Sequence, residues 1–460
     1  MQLYFFISLT ICFTYGYSKT DAPLGYHFRL PVPFENSVGS RAFLIENNET
    51  KPSFKVGMSV EPVSAKYSCS LQVFLGDVKV WCSGHYSKFY TSKICVLELS
   101  RDGDLRLKGP KGRVGWRSGT SGQGVQKLQI LRTGNLVLVD ALGRIKWQSF
   151  NFPTDVMLWG QRLSVASRLT SFPSNSTSYY SLEIEPSRIA LYLNSGKWNY
   201  SYWEFKPTEN RNIAYIQLGP KGLELFSYNQ KKIAQIHPSD ENFQFQPMRF
   251  LALGNQTGNL RLYFYSPGMS KFDASFQALN ATCDLPLACK PYGVCTLSGA
   301  CSCIPLLPTE NETGTASDCG RGISSGGFCK KGKKTKVEMR ELKGVTSVLR
   351  GGAKIVNVSR EECGNLCFED CNCTAALYSS AKECFIYGMV IGVKQVENKG
   401  SGLLSYMVKV PKGGHGGHGK SNLKKWVLIL VGVVDGLIIL LVFGGLGYYL
   451  VRKRRRHSFA

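Results

Sequence analysis

Acidic residues are scarce in this 460-residue chain, with 32 Asp and Glu against 56 Lys and Arg and a formal charge of +24. A surface so basic suits a polyanionic partner, or is simply well solvated. Histidine is scarce too, with six residues. His415 and His418 lie on a glycine-rich tether, His457 lies in the tail, and His27, His85 and His237 have no recognisable nucleophile or base partner. Acid–base catalysis built on histidine is therefore not expected. Kinase signatures are absent, so no enzymatic activity is expected, and no cofactor or metal. Two imidazoles on a flexible tether would hold a metal only weakly.

Long apolar runs number only two, and each has a distinct meaning. The first, MQLYFFISLTICFTYGYS, ends in small residues and reads as a secretory signal over 1–18, with a membrane anchor as the alternative. The second, 426–451, carries one charged residue, and at ~1.5 Å rise per residue its 26 residues exceed a bilayer core. It is expected to be a single transmembrane helix. Arg452, Lys453, Arg454, Arg455 and Arg456 follow it and outnumber Lys424 and Lys425 before it. The expected topology is therefore type I, with a short cytoplasmic tail at 452–460 and no room for an intracellular catalytic domain. Gly432 and Gly436 have the G-x-x-x-G spacing that lets two helices approach, and Asp435 lies between them as a costly polar group.

The remaining chain is cysteine-rich and reads as extracellular. Eight Asn-X-Ser/Thr sequons, at Asn48, Asn175, Asn199, Asn255, Asn280, Asn311, Asn357 and Asn372, all fall between the two apolar runs. From about 40 to 270 the pattern is short alternating runs broken by Gly, Asn and Pro, which is β-sheet with tight turns. DGDLRL at 102–107, TGNLVL at 133–138 and TGNLRLYFY at 257–265 repeat one hairpin phrase, as in a β-prism whose copies each supply a sheet. Further on, Cys283, Cys289, Cys295, Cys301, Cys303 and Cys319 follow a C-x5-C-x5-C-x5-C-x-C-x15-C spacing. Zinc is the alternative use of such cysteines, although zinc pairs sit closer together. Ser359 and Glu362 form a capping box before Cys363, Cys367 and Cys371, which predicts a helix with those cysteines on one face.

GNLVL, WQSF and PTD in this order, then a second β unit and two Cys-rich modules, resemble the extracellular region of plant S-locus glycoproteins and G-type (bulb-type) lectin receptor-like proteins with a PAN/apple module, here without the kinase domain. The resemblance covers about 40 to 410. It implies a mainly β fold of tandem bulb-type lectin β-prisms at 40–162 and 170–270. A small disulfide-rich EGF-like module at 279–320, an α+β PAN/apple domain at 329–410, a stalk at 411–425 and the membrane helix complete it.

The resemblance also implies disulfides, namely Cys283 with Cys295, Cys289 with Cys301, Cys303 with Cys319, Cys363 with Cys384, Cys367 with Cys373, and Cys329 with Cys371. Spacing alone leaves fifteen connectivities for six cysteines. Cys69, Cys82 and Cys95 remain, an odd number.

The family's sugar site is Gln-X-Asp-X-Asn-X-Val-X-Tyr, in which amides, a carboxylate and a phenol grip sugar hydroxyls from alternate strand positions. Laid on this chain it meets Ser100, Asp102, Asp104, Arg106 and Lys108, then Leu131, Thr133, Asn135, Val137 and Val139, then Asn255, Thr257, Asn259, Arg261 and Tyr263. No copy is intact, and Asp102, Asn135 and Asn259 read as turn formers before they read as sugar ligands. The expectation is a receptor-like plasma-membrane glycoprotein binding a peptide or carbohydrate ligand, a partner receptor kinase or a second copy of itself. A wall-associated binder of acidic polysaccharide is the alternative, and nucleic acid is not an expected partner.

Overall fold

The computed structural model describes residues 20–32, 39–63, 66–172, 177–208, 211–239, 248–304, 319, 337–351, 353–397 and 404–411, with 443, 444 and 447. The expected signal, the stalk beyond Pro411, the tail and nearly all of the expected membrane helix, including Gly432, Asp435 and Gly436, lie outside them. Among the described residues no helix is long and apolar enough to cross a membrane.

The first prism is made of β1 (Asp21–Pro23), β2 (His27–Pro31), β3 (Ser40–Asn47), β4 (Phe54–Val63), β5 (Lys66–Leu75), β6 (Val78–Cys82), β7 (Phe89–Thr91), β8 (Ile94–Leu99), β9 (Leu105–Lys108), β10 (Val114–Arg117), β11 (Val125–Ile130), β12 (Leu136–Asp140) and β13 (Ile145–Gln148). They form three sheets, ordered β3-β4-β5-β6 with β7 added on β5, then β10-β9-β8-β2, then β1-β11-β12-β13. The unit thus begins at Asp21, earlier than residue 40. The short β1 and β2 complete two sheets by pairing Asp21 with Gln129 and His27 with Glu98.

A tripeptide repeat places the three sheets around one axis. Trp81-Cys82-Ser83, Trp116-Arg117-Ser118 and Trp147-Gln148-Ser149 each close the last strand of a sheet. The three indole rings meet edge to face, with centroids 6.4, 5.9 and 5.8 Å apart, a geometry favoured by the ring quadrupole. The serine hydroxyls then accept from the amides of Leu71, Leu105 and Leu136, each at 3.0 Å. Those three leucines are fully buried, each stabilising the core by roughly 1.5–3 kcal/mol.

After Pro153-Thr154-Asp155 the chain leaves this unit, and Val156–Leu158 becomes the edge of a sheet with Arg249–Leu253, Leu260–Ser266 and Lys271–Gln277. Strand alternation lets this sheet serve two cores. Val156, Leu158 and Phe250 pack into the first prism, while Met157, Leu251, Leu253 and Leu262 pack into the second. Two more four-stranded sheets, spanning Arg168 to Phe205 and, with Arg162–Ser164, Tyr215 to Ile236, complete the second prism. The third hairpin phrase, at 257–265, therefore belongs to the second prism and not to the first.

The second prism and the Cys-rich modules share one hydrophobic core. The hairpin Gly293–Cys295 and Cys301–Cys303 pairs in parallel with Val393–Gln395, joining the small module to the last one. The last module is a five-stranded sheet crossed by helix α1 (Arg360–Glu369). Its capping box is formed: Glu362 N–H donates to Ser359 Oγ at 3.2 Å and the Ser359 amide donates to Glu362 Oε2 at 2.7 Å. Cys363 and Cys367 lie on the buried side of α1, but the helix is capped at Asp370, so Cys371 falls beyond it and does not share its face.

Candidate functional site

The Trp-X-Ser repeat fixes which residues correspond among the faces of the first prism. The residue before each serine-bonded leucine is Ser70, Asp104 or Asn135, so the expected sugar positions correspond to three faces, one on β5, one on the turn into β9 and one on the turn into β12.

On the β9 face the surviving carboxylate is already used. The Arg106 guanidinium spans Asp102 Oδ2 at 2.7 Å and Asp104 Oδ2 at 2.8 Å. Ser100 and Ser121 hydroxyls also donate to Asp102. Those bonds, led by Ser100, hold its carboxyl far below the ordinary range. Asp104 Oδ1 accepts from the Gly119 amide at 2.8 Å, the Thr120 amide at 3.1 Å and the Ser118 hydroxyl at 3.0 Å. Burial works against its charged form, but the bonds from Arg106, Ser118 and the two amides outweigh it and lower the pKa. Lys108, where the expected pattern has Tyr, pairs with Glu98. What remains is an ion cluster in which Asp102, Asp104 and Glu98 each already face a cation.

On the β12 face Asn135 is a clasp. Its Nδ2 donates to Gln148 Oε1 at 2.7 Å, and its Oδ1 accepts from Ser149 Oγ and the Phe150 amide, each at 3.2 Å. Gly134 before it has φ +79°, and a Cβ there would lie 2.4 Å from the Phe54 ring, so only glycine lets the turn pack. Val137 and Val139, where sugar ligands would stand with Leu131 and Thr133, are buried and apolar.

The β5 face carries no Gly-Asx turn, and the hairpin phrase misses it; the Trp-Cys-Ser at 81–83 is the signal that finds it. Here Lys66, Ser68, Ser70, Gln72 and Phe74 hold the five positions. Gln72, fully buried, donates to Glu61 Oε1 at 3.0 Å and to Ser70 Oγ at 2.9 Å, and Ser59 donates to the same Glu61 oxygen at 3.0 Å. Phe74 is covered edge-on by Phe43 at 5.5 Å and by the Arg41 guanidinium at 4.6 Å.

In the second prism Asn259 repeats the clasp, donating to Leu279 O at 2.7 Å and accepting from the Leu279 amide at 3.1 Å. Asn255 accepts from Ser171, and Thr257 Oγ1 accepts from the Asn259 amide at 3.2 Å. Tyr263 stacks on Phe250, centroids 5.0 Å apart, as part of the wall between the prisms.

The described sequon residues Asn48, Asn199, Asn255, Asn280, Asn357 and Asn372 are exposed, while Asn175 and Asn311 lie outside the described residues. Disulfides join Cys283 to Cys295, Cys289 to Cys301, Cys303 to Cys319, Cys363 to Cys384 and Cys367 to Cys373. Cys371 is also disulfide-bonded, and Cys329, its expected partner, lies outside the described residues. The odd trio resolves as Cys69 bonded to Cys95, leaving Cys82 a free thiol. Burial pushes that thiol up, against hydrogen bonds with Gly84 and Ser70.

Two β-prisms built on clasped hairpins, followed by disulfide-rich modules, define a lectin-like multi-module protein. Residues 79–179 match the family described as D-mannose binding lectin. A G-type lectin S-receptor-like serine/threonine-protein kinase of Arabidopsis thaliana is 29% identical over 439 residues, covering 92% of this chain and 51% of that protein. A PAN domain-containing protein of the same plant is 28% identical, covering 62% of this chain and 57% of its own length. EP1-like glycoprotein 2, also from Arabidopsis thaliana, is 27% identical over 63% of this chain and 72% of that one. The family these matches support is that of plant S-locus glycoproteins and G-type lectin receptor-like proteins. The chain spans about half the length of the first of these relatives.

Proposed function

We propose that this protein is a receptor-like, single-pass cell-surface glycoprotein that binds an extracellular peptide or protein ligand, or a partner receptor kinase, through its lectin-like and PAN modules. In this reading it lacks catalysis of its own and passes a signal through a companion in the membrane. The observation that supports it best is the use of the inherited sugar positions as internal fasteners. Arg106 consumes Asp102 and Asp104, Asn135 and Asn259 clasp the next segment of chain, and Phe74 is roofed by Phe43. A site whose polar groups are already paired offers a sugar little net hydrogen-bond energy, since each new bond must replace an old one.

Two measurements test this together. The protein is expected to pass through mannose-agarose unretained, and to co-purify with other receptor proteins from native plant membranes. Retention that free mannose elutes and Asp102→Ala abolishes would overturn the reading.

A further inference from the structure

Among the described residues, one corner of the first prism is cationic with no carboxylate paired to it. The sequence has no acidic residue between Asp77 and Glu98, and none between Asp104 and Asp140. The fold lays these two acid-free segments side by side. Strand β7 lies against the β9–β10 hairpin, because Gly115 and Gly109 leave space for the Phe89 ring. A Cβ on Gly115 would sit 1.8 Å from Phe89 Cδ2, and one on Gly109 would sit 3.2 Å from Phe89 Cζ. Arg113, from the hairpin, packs its guanidinium 5.3 Å over Phe89 and donates to Tyr90 O. Lys66, at the start of β5, reaches over the other side, its Nζ 5.8 Å from the Tyr90 ring centre. Lys88 and Lys93 flank β7, and Lys111 occupies the hairpin turn.

Lys66, Lys88, Lys93, Lys111 and Arg113 are all exposed, and none forms an ion pair with a carboxylate among the described residues. Tyr90, 38% exposed, sits among them. Several other cations on this prism are matched, Arg106 with Asp102 and Asp104, Lys108 with Glu98, Lys127 with Asp21 and Arg144 with Asp140. Like charges gathered around an aromatic ring repel one another, and that repulsion is relieved by a ligand with regularly spaced anions and flat apolar ring faces.

We propose that this corner binds a linear acidic polysaccharide, a chain of uronic acids, with carboxylates on the lysines and Arg113 and one pyranose ring stacked on Tyr90. This surface shares only Lys66 with the three expected sugar faces and goes beyond the partner binding proposed above. A uronate chain suits it better than an anionic lipid surface because it alone supplies both a row of carboxylates and a ring for Tyr90.

The test uses the purified full chain and size-defined oligogalacturonides, with fully methyl-esterified oligogalacturonide, polyglutamate and phosphatidylserine vesicles as the other arms. Expected results are binding of the free acid that weakens as salt is raised, and little binding of the ester. The Lys66→Glu, Lys88→Glu, Lys93→Glu triple variant should lose about tenfold or more in affinity. Tyr90→Ala should weaken oligogalacturonide binding roughly threefold or more while leaving polyglutamate binding unchanged. Both variants should keep the wild-type melting profile, since the altered side chains are exposed. Equal binding of acid and ester, tighter binding to vesicles than to oligogalacturonide, or a Tyr90→Ala variant that binds oligogalacturonide as wild type, would each overturn the proposal. Retention on mannose-agarose, by contrast, bears only on the inherited faces, so the two readings fail separately.

Discussion

Arg106 and Asp104 stand two residues apart on one strand entry, and the guanidinium Nε donates to the buried carboxylate at 2.8 Å. A position expected from the family resemblance to hold sugar is half of an internal ion pair, and its partner stands at the next such position along the same strand. The pair fixes the pH range in which the turn is stable. Asp104 has a folded-state pKa below its ordinary value, so its contribution is complete above about pH 4 and is lost as pH falls through the lowered folded value. Arg106→Ala should raise the Asp104 pKa, cost about 1 kcal/mol at neutral pH and move the onset of acid unfolding to higher pH. Melting temperature recorded from pH 7 down to pH 2 checks this; identical acid profiles for variant and wild type would contradict it.

The contact between the second prism and the last module predicts coupled unfolding. Tyr200 stacks on Trp198 at 5.9 Å and meets Tyr387 at 5.7 Å, while the Gly388 amide donates to the Tyr200 hydroxyl at 2.8 Å. A Cβ on Gly388 would lie 1.8 Å from Trp198 Cε2, so Gly388→Ala must push the indole aside at a cost of roughly 1–3 kcal/mol. Calorimetry should then show the joint transition broadened or split, and protease should cut between the units at lower temperature. A single unshifted transition would show that the seam adds nothing.

Disulfides set a second expectation. Cys363 and Cys384 are both fully buried and tie α1 to the sheet it crosses. Loss of a native disulfide from a small extracellular domain costs about 2–5 kcal/mol, so Cys363→Ser should be held back before the cell surface. Surface biotinylation of plant cells expressing the variant measures it, and normal delivery would argue against a structural role.

For the proposed membrane segment, Asp435→Leu should leave surface level unchanged and weaken association with a partner receptor or a second copy of the chain. An ionisable group at that depth commonly costs ~2.5–3.5 kcal/mol on insertion scales unless a neighbouring helix satisfies it. Cross-linking in native membranes, with Gly432→Leu and Gly436→Leu in parallel, reads the outcome. Unchanged complexes in all three would make the segment an anchor only.

What the residues disclosed in advance depended on whether a local rule applied. Asp102-Gly103 and Gly134-Asn135 are readable as turns because positive φ and a short polar side chain are needed there whatever the surroundings. The Ser359–Glu362 box was readable for the same reason, being complete within four residues. The β5 face was hidden because Ser68, Ser70 and Gln72 carry no turn signal; only its Trp-Cys-Ser end repeats the others. Strands β1 and β2 were missed because they are short and take their stability from partners about 70 to 110 residues away in sequence, such as Glu98 and Gln129. Disulfide pairing came from family likeness, and the fate of Cys82 followed only from the approach of Cys69 to Cys95.

The sheet that holds Val156, Phe250 and Leu251 presents one apolar face to each prism. Bending the molecule there would bare both faces to water at once, so this junction has no inexpensive way to act as a hinge. A load applied at the cationic corner would therefore swing the two prisms together, like the arm of a lever, and any give would have to come from outside this pair.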